Sequence, residues 1–223
     1  MFESKFKNKS DREDLMTSSI LGLLKYLPSD FFWYILRNAC SCSNSSNLPE
    51  VMGEMRTITF WPKWSSKNTV NTTYIEPDIF IEFDKFDIII EVKNSDDISN
   101  QKYEQWEKQI ISYNNENKEN SKDLIYIALG GNHGTLHNDN LDYQNKNYII
   151  NKCSWRNLFN EVNSILNGFK NFNHPIPNKE TYILILEDIV RCFNFFGYYD
   201  IKWLKELKSI EIEYNNDWFR LNN

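Results

Sequence analysis

The chain has 223 residues, 41% of them hydrophobic and 15% aromatic, which is enough to bury one sizeable core. No run of about 18 uncharged apolar residues appears and the start, MFESKFKNKSDRED, has no apolar signal region, so neither a membrane span nor a secretory leader is expected. The net charge of −6 argues against a simple electrostatic nucleic-acid binder, and the four cysteines, Cys40, Cys42, Cys153 and Cys192, form no CxxC pair, so a cytoplasmic protein with reduced thiols and no zinc site is expected.

In chain order, Ser10 or Asp11 can cap a first helix whose apolar stripe is Leu15, Ile20, Leu23 and Leu24, and which stops before Pro28. Ser29 or Asp30 caps a second, FFWYILRNA. A polar loop, CSCSNSSNLPE, leads to a strand over 55–61 that Pro62 closes. After the loop SSKNTVNTT comes TYIEPDIFIEFDKFDIIIEVKN, two β-rich runs around a polar tip at Asp84-Lys85, the pattern of a hairpin. A helix over 99–115 carries the stripe Tyr103, Trp106, Ile110 and Tyr113. Leu124–Leu129 is short and continuously apolar, as buried strands are. The glycine- and asparagine-rich GGNHGTLHNDN reads as a loop, and 148–150 as a short strand. Ser154 caps the helix WRNLFNEVNSIL. Pro175 and Pro177 mark a linker, followed by a helix over 180–196 and the amphipathic WLKELKSI. Helices around an inserted hairpin imply an α/β domain with a mixed sheet.

Alternation sorts the hairpin's side chains. Ile79, Ile81, Phe83, Ile88, Ile90 and Val92 form a core face. Asp78, Phe80, Glu82, Asp87, Ile89, Glu91 and Lys93 form the other, on which Glu82 and Asp87 are expected to be solvated. Closing the hairpin with Phe83 opposite Phe86 pairs Glu82 with Asp87, Phe80 with Ile89, Asp78 with Glu91, and Glu76 with Lys93. A four-residue loop over 83–86 gives the same pairing. Carboxylates placed opposite one another repel, so Asp78 and Glu91 ask for a cation, and two hard oxygen ligands with room for waters suit Mg²⁺. Lys93, two residues on, shares the face of Glu91 and can orient or help deprotonate a water and stabilise charge on a phosphate. Metal, water and lysine together are what phosphodiester hydrolysis needs.

Glu76-Pro77-Asp78 followed by Glu91-Val92-Lys93 resembles the signature of the PD-(D/E)XK nuclease superfamily. Three further elements, in order, resemble it too: Glu13-Asp14-Leu15-Met16-Thr17, an ENxLT-like opening with Asp in place of Asn; Gln109-Ile110-Ile111-Ser112-Tyr113, a QLxxY-like stretch; and Ser154-Trp155-Arg156, similar to the SW-R element of a defence-associated branch. The resemblance implies a restriction-endonuclease-like core over 1–170, a mixed β-sheet flanked by helices, with 171–223 as a C-terminal helical extension of the same domain. It implies Mg²⁺, with Mn²⁺ as a substitute, held by Asp78, Glu91, the Val92 carbonyl and Glu13. Lys93 would position the water, and Gln109, with Gln105 as the competing candidate, would support the site. The implied activity is endonucleolytic cleavage of DNA before RNA, in a prokaryotic or phage antiviral defence setting, with a protein partner or homodimer formed through 180–208. Two other readings stay open: a non-catalytic nuclease-fold interaction module, and an RNA-cleaving nuclease. His133 and His137 stand four apart among glycines, which favours a loop over a metal site.

Overall fold

In this computed structural model residues 12–40, 48–71, 73–117, 122–133, 137–172 and 175–200 are described. The expected helix cap at Ser10 or Asp11, Cys42, His174 and the segment 203–210 lie outside them. The elements are α1 (Arg12–Leu24), α2 (Ser29–Ala39), β1 (Met55–Phe60), β2 (Trp64–Ser65), β3 (Tyr74–Ile75), β4 (Ile79–Phe83), β5 (Phe86–Val92), α3 (Tyr103–Glu116), β6 (Asp123–Leu129), β7 (Asp139–Tyr143), β8 (Lys146–Cys153), α4 (Trp155–Asn171) and α5 (Lys179–Phe195). Six strands form one mixed sheet in the order β1-β4-β5-β6-β8-β7, and β2 with β3 makes a separate two-stranded ribbon. The architecture is α/β, a mixed sheet flanked by helices.

The central strand β5 reads FDIIIEV because it is covered on both faces. It pairs antiparallel with β4, Glu82 with Asp87 and Phe80 with Ile89, in the register expected from closing the hairpin with Phe83 opposite Phe86. On its other side it runs parallel to β6, and α3 makes the crossover. Ile79, Ile81, Phe83, Ile88, Ile90 and Val92 enter one core with α1, α2, α4 and α5. Phe80 and Ile89 enter a second core beneath α3, with Trp106, Ile110, Tyr113 and Tyr126. The ring of Phe80 sits 5.1 Å from that of Trp64 in β2, so the ribbon closes this second core at its edge.

Several expectations need correcting. Asp87 is fully buried, not solvated: the Tyr113 hydroxyl donates to it at 2.8 Å and the Lys122 ammonium at 3.1 Å. The cause is α3, whose aromatic side covers that face of the sheet. α3 begins at Tyr103 rather than near Ser99, because the Asn100 and Gln101 amides donate to the Gly131 carbonyl instead of opening a helix. α1 buries Met16 and Leu21 besides the predicted Ile20 and Leu24, since it is enclosed on most sides, and a single stripe describes only a helix lying on a surface. The segment DNLDY, whose first two residues fall in the expected loop GGNHGTLHNDN and whose last three carried no assignment, is the edge strand β7. It pairs with β8 through a turn in which Gln144 and Asn145 both have positive φ (49° and 62°), the backbone of a tight hairpin. Among the described residues no helix is long and apolar enough to cross a membrane, and Cys40 and Cys153 are buried.

Candidate active site

The hairpin ladder ends at Ile79 opposite Ile90, so the next step outward sets Asp78 across from Glu91. Asp78 is held there by its main chain and its side chain. Its carbonyl accepts from Trp61 N–H at 2.9 Å, and its Oδ2 accepts from Val92 N–H at 2.8 Å. Glu91 is 1% exposed. Its Oε1 accepts from the Lys93 ammonium and, at 2.6 Å, from Gln105 Nε2. Its Oε2 accepts from Gln109 Nε2 at 2.6 Å. The Lys93 amine also donates to the Val92 carbonyl at 2.8 Å and lies 3.8 Å from Glu13 Oε1. Glu13 reaches in from α1, where its Oε2 accepts from Asn94 N–H at 3.1 Å.

The structure therefore brings Glu13, Asp78, Glu91, Val92, Lys93 and Gln109 to one place, with Gln105 joining Gln109 rather than replacing it. The Lys93 side chain contacts Glu91, Val92 and Glu13. Among the described residues no group of three or more His, Cys, Asp or Glu is placed to hold a metal ion. The set that could hold one is Asp78, Glu91 and the Val92 carbonyl, while Glu13 meets the site through Lys93 and the Asn94 amide. His133 and His137 are exposed.

No family model matches the sequence. The chain is 27% identical over 216 residues to "Uncharacterized protein PM0110" of Pasteurella multocida (strain Pm70), a match covering 90% of this chain and 76% of that protein. That relative's name states no activity, so any functional assignment has to come from the site.

Charge at the site is unbalanced. Three carboxylates surround one ammonium. Burial pushes the Asp78 carboxyl well above the ordinary range, and Glu91 pushes it further, against the Val92 N–H and Lys93. Glu13 is raised chiefly by burial, with Lys93 opposing. Burial alone would lower the Lys93 amine, but Glu91, Glu13 and Asp78 together outweigh it and the net direction is up. Lys93 is therefore protonated at neutral pH. An excess of hard, negative oxygens in a half-buried recess fits a divalent cation.

Ser154 as a cap and Ser154-Trp155-Arg156 as an SW-R-like element are legible in the sequence, but not that this element holds the back of the site together with Asp96, Gln101 and Gly130. Trp155 N–H of the indole donates to the Lys93 carbonyl at 2.7 Å. Asp96 accepts from Trp155 N and Arg156 N, both at 2.9 Å, and with Ser154, which accepts from Asn157 N, it caps α4 so that Trp155 points inward. Gln101 Nε2 donates to the Glu91 carbonyl at 3.3 Å and to the Gly130 carbonyl at 3.1 Å. Gln101 lies before the N-cap of α3, so no helical spacing ties it to Gln105 and Gln109, and no local signal marks it. Gly130 and Gly131 have φ of +71° and +66°, and a Cβ on Gly130 would run into the Lys93 carbonyl and stand 2.9 Å from Trp155 Nε1. Gly130→Ala is expected to cost about 3 kcal/mol in a denaturant titration, through the left-handed backbone and the displaced Trp155–Lys93 contact. A change under about 0.5 kcal/mol would show that the turn absorbs the methyl group.

Proposed function

We propose that this chain is a Mg²⁺-dependent endonuclease that hydrolyses phosphodiester bonds in DNA. The observation that carries the proposal is the convergence of Asp78, Glu91 and Lys93, with three carboxylates facing one ammonium. Asp78, Glu91 and the Val92 carbonyl would hold the cation, which when bound supplies Lewis acidity and a more acidic water. Lys93 carries its proton at neutral pH, so its role is that of a donor to a phosphate oxygen on which charge develops, not that of a base. Glu13, raised by burial and set at the rim, is the carboxylate suited to take a proton from the attacking water. Gln105 and Gln109 fix the Glu91 carboxylate, so that neither oxygen is free to swing away from the recess.

A groove of about 340 Å³ between β3 and α3, lined by Asn71, Tyr74, Lys102 and Lys108, shares Gln105 and Gln109 with the site. The Lys63 ammonium lies 4.7 Å above the ring of Tyr74. A polynucleotide strand laid in this groove would have two lysines for its phosphates and an aromatic face for a base, and it would reach Glu91 through the glutamines. Glu76 and Glu104 share the groove, and with the chain's net charge of −6 this favours a partner or second copy that adds positive surface. Leu184 and Phe195 on α5, 62% and 78% exposed, are the apolar residues through which it would dock.

Supercoiled plasmid is the first substrate to try. Nicking or linearisation with Mg²⁺ or Mn²⁺, abolished by a chelator, is the expected result. A well-folded protein that leaves DNA intact at every metal concentration would overturn the DNA reading.

A further inference from the structure

The proposed site turns on a carboxylate, Glu91, held by side-chain amides, and an amide has two ends. Rotated by half a turn, the same glutamine would present an oxygen to Glu91 and repel it. What decides the orientation lies one layer deeper. Tyr126, in the middle of β6 and 0% exposed, donates its hydroxyl to Gln109 Oε1. Trp106 donates its indole N–H to Gln101 Oε1 at 2.9 Å. An indole nitrogen can only donate, and the backbone carbonyls of Glu91 and Gly130 can only accept, so Gln101 has one orientation that satisfies both ends. Gln109 Nε2 donates to Glu91 Oε2 at 2.6 Å, which leaves Gln109 Oε1 to accept from the Tyr126 hydroxyl. The two aromatic rings meet edge to face, their centres 6.5 Å apart.

We infer that Tyr126 and Trp106 are positioning residues that fix the amide orientations of Gln109 and Gln101, so that both present N–H groups to Glu91. Neither touches the recess itself. Tyr126 acts on the carboxylate through Gln109, and Trp106 acts on the Glu91 main chain through Gln101. The consequence for a cation rests on the proposed metal-binding role of Glu91, but the orientation of the amides does not. A phenylalanine at 126 would fill the same space in the second core and leave Gln109 Oε1 without its donor. The amide would then be free to turn.

Two measurements on the full chain test this. In ¹⁵N-labelled protein the Gln109 side-chain amide is identified by its loss in Gln109→Ala. Tyr126→Phe is expected to speed its hydrogen exchange at least about 10-fold while Gln105 keeps its own rate, and Trp106→Phe is expected to do the same to Gln101. Unchanged exchange in both variants overturns the inference. The second measurement is Mn²⁺ affinity by electron paramagnetic resonance. Tyr126→Phe is expected to weaken binding about 10-fold in the wild-type background and not at all in Gln109→Ala. Equal weakening in both backgrounds would overturn the inference, because it would mean that Tyr126 acts through packing. If the wild type binds no Mn²⁺, the metal reading of the site fails, and the exchange data still decide the orientation of the amides.

Discussion

Lys93→Ala is expected to lower plasmid cleavage by about 10³-fold, a loss of roughly 4 kcal/mol of transition-state stabilisation, with little change in substrate affinity. The size follows from where the ammonium sits. It stands among three carboxylates, it is raised rather than lowered, and it donates to the Val92 carbonyl just past the end of β5. A donor placed this way meets charge that develops on the phosphate, and its loss cannot be made up by solvent in a half-buried recess. The substitution should also register in stability. The Glu91 side chain, 2% exposed, would lose the ammonium that contacts it, and breaking such a pair costs on the order of 3 kcal/mol. Adding Mn²⁺ should recover part of that stability without recovering cleavage, because a metal can neutralise Glu91 but cannot take the place of the amine at the phosphate. Lys93→Arg should behave like the alanine variant in the cleavage assay, since the larger planar guanidinium cannot place its charge where the compact ammonium sits. An ordinary solvated ion pair would behave differently on every count. Its loss would change stability by less than about 1 kcal/mol and would leave cleavage untouched. That pattern would remove Lys93 from the proposed mechanism.

The hairpin was legible in the sequence because one period governs it. Alternation assigned Ile79, Ile81, Phe83, Ile88, Ile90 and Val92 to one core, and the symmetry of the turn at Asp84-Lys85 set the register that places Asp78 beside Glu91. The helix face was legible for the same kind of reason, since Trp106, Ile110 and Tyr113 repeat at helical spacing and are buried together. What escaped was whatever depends on residues distant in sequence. Asp87 looks like a solvated acid until α3 brings Tyr113 and Lys122 to it. β7 has no apolar run of its own, and it is a strand because β8 offers it an open edge. Trp155, Gly130 and Asp96 support the site from three separate segments, and no local spacing connects them to Lys93. Gln109 could be named from its motif, but Tyr126, which orients it, lies within a plain apolar run, LIYIAL, where a tyrosine reads as core.

Asp78→Asn is expected to abolish cleavage and at the same time to make the protein more stable at neutral pH, by about 1 kcal/mol. The two effects have one cause. Burial and Glu91 hold the Asp78 carboxyl above its ordinary value, so the folded state binds its proton more tightly than the unfolded chain does. Between about pH 4, where the unfolded side chain titrates, and the raised folded value, the native protein carries more protons. Stability is therefore lost as pH rises through that window, and above it the full penalty of the uncompensated charge remains. Asparagine keeps an oxygen for the Val92 N–H and removes the charge, so the penalty disappears. Thermal melts from pH 5 to pH 8 should show wild-type stability falling with pH and the asparagine variant holding a flatter profile, with a melting temperature a few degrees higher at pH 7. Divalent cation should invert the comparison. A ligand that binds only the folded state adds RT ln(1 + [L]/Kd), about 2.7 kcal/mol at a hundred times Kd, and Mg²⁺ should add this to the wild type and little to the variant. An asparagine variant that is less stable than wild type at pH 7, and that still cleaves, would mean that Asp78 is no more than an acceptor for Val92 at the end of a strand. A site that costs stability when empty of cation and gains it back when loaded is what separates a metal centre from a surface cluster of acids, and Asp78 is the residue at which that difference can be weighed.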